Sequence, residues 1–178
     1  TMTGLLITGC AHGIGRAAAL MAAARGKALV LLDLDAVALG LLRAEIAAAH
    51  PGLAIFTAAV DVTHHGEMAK AACDAAAALG GIGAVIANAG GVASLVQSGD
   101  LPQAFTPFAE SRPEEWRRII ELNLFGAMNT VQAVLPLLQA GGGGRLVLVA
   151  SVAGVVGAPG LAVYAASKGA VIALTKSL

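Results

Sequence analysis

Tyr164 and Lys168 stand four residues apart in the run Tyr164-Ala165-Ala166-Ser167-Lys168, a spacing that puts both side chains on one face of a helix. A free phenol has a pKa of roughly 10 and exchanges protons poorly at neutral pH unless a nearby positive charge stabilises the phenolate. Lys168 can supply that charge. Ser151, thirteen residues before the tyrosine, carries a hydroxyl able to hold a substrate oxygen. Together the three side chains can protonate or deprotonate an oxygen on a bound small molecule. Singly they are ordinary residues, and Tyr164 alone reads equally well as a half-buried aromatic with a solvated hydroxyl.

A second constellation lies near the start of the chain, in Thr8-Gly9-Cys10-Ala11-His12-Gly13-Ile14-Gly15. A strand that turns through such a run into a helix can face its free amides toward a pyrophosphate, with Gly9, Gly13 and Gly15 allowing the close approach. A merely structural tight turn is the alternative. Asp33 decides between them, because it stands at the end of the next apolar run, where dinucleotide binding needs a carboxylate for the adenosine ribose. The same carboxylate repels a 2′-phosphate and so points to NAD rather than NADP. A solvated aspartate or a helix cap is the bland reading of Asp33, although Asp35 fits the capping role better.

Short runs rich in Leu, Ile and Val alternate with Ala-rich stretches of helical length, the pattern of repeated βαβ units around a parallel sheet. The pattern predicts strands over Leu5–Thr8, Ala28–Leu32, Ala54–Ala59, Ala84–Ala87 and Leu146–Ala150. Helices are expected over Ile14–Arg25, Ala36–Ala49 and Gly66–Leu79, in a long stretch after Pro113, and from near Ala162. Ser111 and Glu114 form a capping-box pattern at the start of the long helix, and Gly141 to Gly144 close it as a turn. The segment from Gly91 to Pro113 carries Gly99, Pro102 and Pro107 and reads as a long loop. The expected fold is α/β: one Rossmann-like, doubly wound parallel sheet with helices on both faces, formed by residues 1–178 as a single dinucleotide-binding domain.

The Thr8–Gly15 turn, Asn88-Ala89-Gly90, Asn123, Ser151 and the Tyr164-to-Lys168 run resemble the short-chain dehydrogenase/reductase family in their order and spacing. The resemblance covers essentially the whole chain. It implies an oxidoreductase that moves hydride between NAD(H) and a secondary alcohol or ketone. It implies Tyr164 as general acid/base, Lys168 as the group that lowers its pKa and binds the nicotinamide ribose, and Ser151 as the group orienting the carbonyl. Asn123 matches the family's helix asparagine, which holds a water for a proton relay. Asn88, Ala89 and Gly90 match the motif that steadies the sheet and lines the cofactor cleft, with Ala87 replacing its usual first Asn. Asp61 and Val62 resemble the pair that contacts the adenine ring. Ala11, His12, Gly13 and Ile14 belong to the cofactor turn, and His12 and Leu34 occupy positions where NADP users commonly carry a basic residue. Family members continue past this helix through further strands and a substrate-covering loop, so the sequence reads as lacking the usual C-terminal strands. It is then a fragment, or a shortened protein whose pocket another subunit completes. The resemblance also implies a homodimer or homotetramer, and leaves an NADP-dependent ketoacyl reductase and a non-catalytic dinucleotide-binding protein as alternatives.

Eleven basic and eleven acidic residues balance, which argues against nucleic acid or an anionic membrane as partner. The mean hydropathy of +0.80 is high, but Gly, Pro, Asn or Gln break the uncharged segments Leu122–Gly144 and Leu146–Ser167, so no span is expected. The N-terminus runs straight into an apolar strand with no leader pattern, from which a cytoplasmic location is expected. Cys10 and Cys73 are too few for a disulfide framework. His64 and His65 are expected to cap or flank a helix rather than bind metal.

Overall fold

The computed structural model describes residues 3–92 and 107–178. Five strands form one parallel sheet: β1 (Gly4–Thr8), β2 (Leu29–Asp33), β3 (Ile55–Ala59), β4 (Ile82–Ala87) and β5 (Arg145–Leu148), in the order β3-β2-β1-β4-β5. Three helices alternate with the first four strands: α1 (Gly13–Ala23), α2 (Ala36–Ala49) and α3 (His65–Leu79). After the loop come α4 (Pro113–Ile120), a widened turn over Glu121–Phe125 and α5 (Gly126–Ala140), then β5, a short α6 (Ala153–Val156) and α7 (Ala162–Ser177).

The period of two along each central strand divides its side chains between two cores. Leu6 of β1, Val30 and Leu32 of β2 and Val85 of β4 pack with Met68, Ala72 and Ala75 of α3 and Val134 and Leu138 of α5. Their neighbours Ile7, Leu29 and Leu31 face the other way, onto Ala19, Ala22 and Ala23 of α1 and Leu39, Leu42 and Ile46 of α2. Helices thus cover both faces, as a doubly wound sheet requires. Ala19, Ala22 and Ala23 of α1 and Ala71, Ala72 and Ala75 of α3 are buried on the sheet-facing sides of their helices, and every strand residue from Leu29 to Leu32 is buried.

The expected elements are present with shifted ends. β4 starts two residues earlier than expected, α1 stops at Ala23, and β5 covers Arg145–Leu148 rather than Leu146–Ala150. Beyond β5, the Val149 amide still bonds to the Ala87 carbonyl, while the Val149 carbonyl turns to the Lys168 ammonium.

The capping box at Ser111 and Glu114 does not form: Arg112 is the N-cap, without a side-chain cap bond, and Pro113 takes the first helical position. Proline favours that position because it lacks the amide left unpaired there. The Ser111 hydroxyl instead donates to the Phe108 carbonyl and accepts from the Trp116 indole. Phe108 stacks on Trp116 with ring centroids 5.1 Å apart. The 3-10 turn Phe108–Glu110 therefore interrupts what the sequence presents as continuous loop, while residues 93–106 of that loop lie outside the described residues. Gly142 and Gly143 adopt positive φ just after α5, in the expected turn. No helix among the described residues is long and apolar enough to cross a membrane.

Candidate active site

The strand order reverses between β1 and β4: β2 and β3 lie on one side of β1, and β4 and β5 on the other. At such a switch point, the loops leaving the carboxyl ends of adjacent strands diverge and open a crevice. A cleft of about 550 Å³ lies there. Of the residues singled out in the sequence, Gly9, His12, Gly13, Ile14, Asp33, Leu34, Asp61, Val62, Asn88, Ala89, Gly90, Tyr164 and Lys168 line it.

The junction between β1 and β4 is stitched by side chains. Thr8 Oγ1 accepts from the amides of Asn88 and Ala89, each at 3.1 Å. Asn88 Nδ2 donates to the carbonyls of Thr8 at 3.1 Å and Gly9 at 2.8 Å. This contact leaves no room for a side chain, since a Cβ on Gly9 would meet the Ala89 Cα at 2.7 Å, and its φ of +64° disfavours any other residue. Gly15 stands behind the wall, where a Cβ would lie 2.2 Å from the Gly9 carbonyl oxygen, so it serves packing of α1 on the turn. Gly13, with φ +51°, opens α1, and a Cβ there would meet nothing within 4 Å.

The first amides of a helix have no partner within it. At α1 the N-cap His12 makes no side-chain cap bond and the first turn holds no acidic residue, so this end of the helix faces the cleft without a capping side chain. That is the electrostatic condition for an anion such as a pyrophosphate.

Asp33 ends β2. Its Oδ2 accepts from the Ala11 amide at 2.7 Å and its Oδ1 from the Asp35 amide at 3.0 Å. The carboxylate thereby braces the glycine turn against the start of α2, and its remaining lone pairs are free to accept further bonds. Ala11 is buried and contributes this amide rather than lining the cleft. Asp35 caps α2 through bonds from the Val37 and Ala38 amides. Those bonds, chiefly the one from Ala38, and His12 Nε2 at 3.3 Å hold its carboxyl below the usual carboxylate range. Cys10 lies behind Asp33, and burial together with that carboxylate pushes its thiol up to about 12.

Opposite this wall, Lys168 projects from α7 and is 4% exposed. Its Nζ donates to the Val149 carbonyl at 2.9 Å and stands 5.9 Å from the centre of the Tyr164 ring. Burial lowers its pKa from the ordinary amine value. Ser167, between them, turns its hydroxyl back to the Tyr164 carbonyl.

Asn123 lies one layer deeper, 1% exposed, inside the widened turn Glu121–Phe125. Such single-turn expansions shift the register of a helix and are frequent at functional sites. Asn123 Oδ1 accepts from the Gly91 amide, and Nδ2 donates to the carbonyls of Gly91 and Ile119. A Cβ on Gly90 would lie 2.7 Å from Asn123 Oδ1 and 3.1 Å from Lys168 Nζ, so both groups converge on the backbone of the β4 loop. Ser151 lies next to Ala150 of the cleft wall, with its hydroxyl accepting from the Ala153 amide at the start of α6. Asn123, Ser151, Ala11 and Gly15 are thus beside the cleft rather than in its wall.

The cleft also takes in Val60, Gly91, Leu122, Val149 and Ala150, which the sequence reading did not single out. Four of these are small or apolar residues just past strand ends, where position in the sheet is the only signal. His64 begins α3 without a side-chain cap bond and pairs with Glu67 at 3.2 Å. Among the described residues, no group of three or more His, Cys, Asp or Glu side chains could hold a metal ion.

The chain is 38% identical over 173 residues to the 2-dehydro-3-deoxy-L-rhamnonate dehydrogenase (NAD(+)) of Sphingomonas sp. (strain SKA58), covering 97% of this chain and 63% of that protein. Its structure superposes on levodione reductase with a TM-score of 0.89 and 28% identity, covering 99% of this chain and 65% of that one. It superposes equally on an NAD+-bound xylitol dehydrogenase, with a TM-score of 0.89, 31% identity, and 99% and 64% of the two chains covered. The chain therefore spans just under two thirds of the length of these proteins. A family model for short chain dehydrogenase matches residues 4–178, and with the fold and cleft described above, the chain belongs to the short chain dehydrogenase family.

Proposed function

We propose that this chain carries the cofactor site and the proton-transfer residues of an oxidoreductase that moves hydride between NAD(H) and a secondary alcohol or ketone. The observation that carries the reading is the convergence on one cleft of the uncapped α1 N-terminus, the Asp33 carboxylate and the Tyr164–Lys168 pair. NAD(H), when bound, supplies the hydride acceptor or donor.

The chain's own residues divide the remaining work. The amides opening α1 hold the pyrophosphate, with Gly13 leaving the approach clear. Asp33 accepts the adenosine ribose hydroxyls and disfavours a 2′-phosphate through like charge. The Asp61–Val62 segment borders the adenine, and the Asn88–Gly91 loop borders the nicotinamide half. Tyr164 gives or takes the proton of the substrate oxygen, with the Lys168 ammonium favouring its phenolate form. Ser151 donates to the same oxygen, its hydroxyl proton being free while its oxygen accepts from the Ala153 amide. The NAD(+)-dependent relative and the NAD+-bound structural neighbour support this cofactor.

Fluorescence titration with NADH and, in parallel, NADPH tests the reading. Tighter NADH binding supports it, and Asp33→Ala then narrows the preference. Preference for NADPH overturns the role of Asp33, and binding of neither cofactor overturns the cofactor site.

A further inference from the structure

We propose that Asn129 is a positioning residue for the adenine end of the cleft, mooring the loop that follows β3 to helix α5. The inference rests on the reading of Asp61 and Val62 as the adenine border. Asn129 Nδ2 donates to two successive backbone carbonyls of that loop, Val62 at 2.9 Å and Thr63 at 3.1 Å. Three residues earlier, Gly126 lets the same helix approach closely, because a Cβ there would lie 2.7 Å from Val62 Cγ2.

At its start the loop is tied to β2, where the Val60 amide donates to the Asp33 carbonyl at 2.9 Å; beyond Val60 the bonds it makes for itself are local. Asp61 Oδ1 accepts from the Thr63 amide and hydroxyl, and the Asp61 amide donates to Glu67 at the start of α3. All of these partners lie between 61 and 67, so they shape the loop beyond Val60 without bonding it to α5, while the Val62 side chain packs into the core. Among the described residues, the amide of Asn129 is the polar link from Val62 and Thr63 to a helix distant in sequence. Its carbonyl acceptors are backbone groups, so the link sets where the Val62 amide and the Asp61 carboxylate stand, whatever side chains the loop carries.

The same helical stretch also carries Asn123, bonded to Gly91 on the other side of the cleft. One continuous element, from the widened turn into α5, thereby fixes the separation of the two loops that border opposite ends of a dinucleotide. Asn123 sets the β4 loop and Asn129 the β3 loop.

The test compares Asn129→Leu, similar in size but without a donor, with the unsubstituted protein. Asn129→Ser, too short to reach both carbonyls, replaces it if the leucine variant does not fold. Backbone hydrogen exchange without ligand is expected to quicken about tenfold at residues 62–64 and to stay unchanged at 90–91. The Kd for ADP-ribose is expected to rise about tenfold, as loss of two amide–carbonyl bonds implies, while reduced nicotinamide mononucleotide competes as before. Equal acceleration at both loops, or an unchanged ADP-ribose Kd in a variant of a protein that binds NADH, overturns the positioning role. Failure of the unsubstituted protein to bind NADH or ADP-ribose overturns the cofactor reading instead, and the exchange comparison still decides whether Asn129 moors the loop.

Discussion

Lys168 carries two demands that pull against each other. In the proposed mechanism its ammonium serves Tyr164 only while charged, yet burial disfavours that charge and lowers its pKa. A lysine whose folded pKa lies below the unfolded value of about 10.4 adds no penalty where both states are neutral, above that value. As pH falls through the folded pKa the penalty grows to its full size and persists at neutral pH. Lys168→Met, which keeps the stem and removes the charge, is therefore expected to match or exceed the parent Tm at pH 7, with the advantage shrinking toward pH 10 and above. Thermal melts across that range check it, and turnover should be lost. Tyr164→Phe separates chemistry from binding: an unchanged NADH Kd with a loss of roughly 10²–10⁴ in kcat is expected, and retained activity would remove Tyr164 from the mechanism.

The elements meet at the cleft through a few cross-links that the strands alone do not supply. Thr8, 1% exposed, holds two amides of the β4 loop with one hydroxyl oxygen. Thr8→Val preserves shape and leaves those amides unpaired, so chemical denaturation should show a loss of about 1–3 kcal/mol. On the other flank, Asp35 caps α2 and its carboxyl is held low, first by the Ala38 amide and then by His12. A carboxylate with a depressed folded pKa contributes stability above its unfolded value of about 3.9 and loses it as pH falls through the folded value. Asp35→Ala should thus lower Tm at pH 7, and the gap from the parent should close below pH ~4.

The sheet divides the interior into two cores that share strands but not side chains. Ile46 belongs to the α1–α2 core and Val134 to the α3–α5 core, both fully buried. Ile46→Val is expected to cost about 0.5–1.5 kcal/mol. With no shared neighbours, its effect and that of Val134→Ala should add within about 0.5 kcal/mol. A double-mutant cycle by denaturant titration measures this, and a larger coupling would mean that strain passes through the sheet. The cleft lies at the edge common to both cores, with Asp33, Asp61 and Val62 lining it beside β2 and β3, and Asn88, Val149, Tyr164 and Lys168 lining it beside β4, β5 and α7.

The alternation of apolar runs and Ala-rich stretches was enough to place all five strands and the main helices, because each follows from a local period of side chains. The glycine turn and the Tyr164–Lys168 spacing were legible for the same reason: backbone close approach and same-face spacing are properties of short segments. Asp33 followed from its place at the end of the second strand, and Asn88–Gly90 only from the family resemblance. What the tertiary structure decided were matters of competition between partners far apart in the chain. Ser111 satisfies Phe108 and Trp116 instead of capping α4, and Val149 gives its carbonyl to Lys168 where β5 was expected to run on. The widened turn around Asn123 and the reach of Asn129 to Val62 and Thr63 bring together residues more than thirty and more than sixty positions apart. No local period encodes such bonds. They exist only once the strand order has laid the β3 and β4 loops against one helix, since a donor chooses its acceptor by proximity in the folded chain.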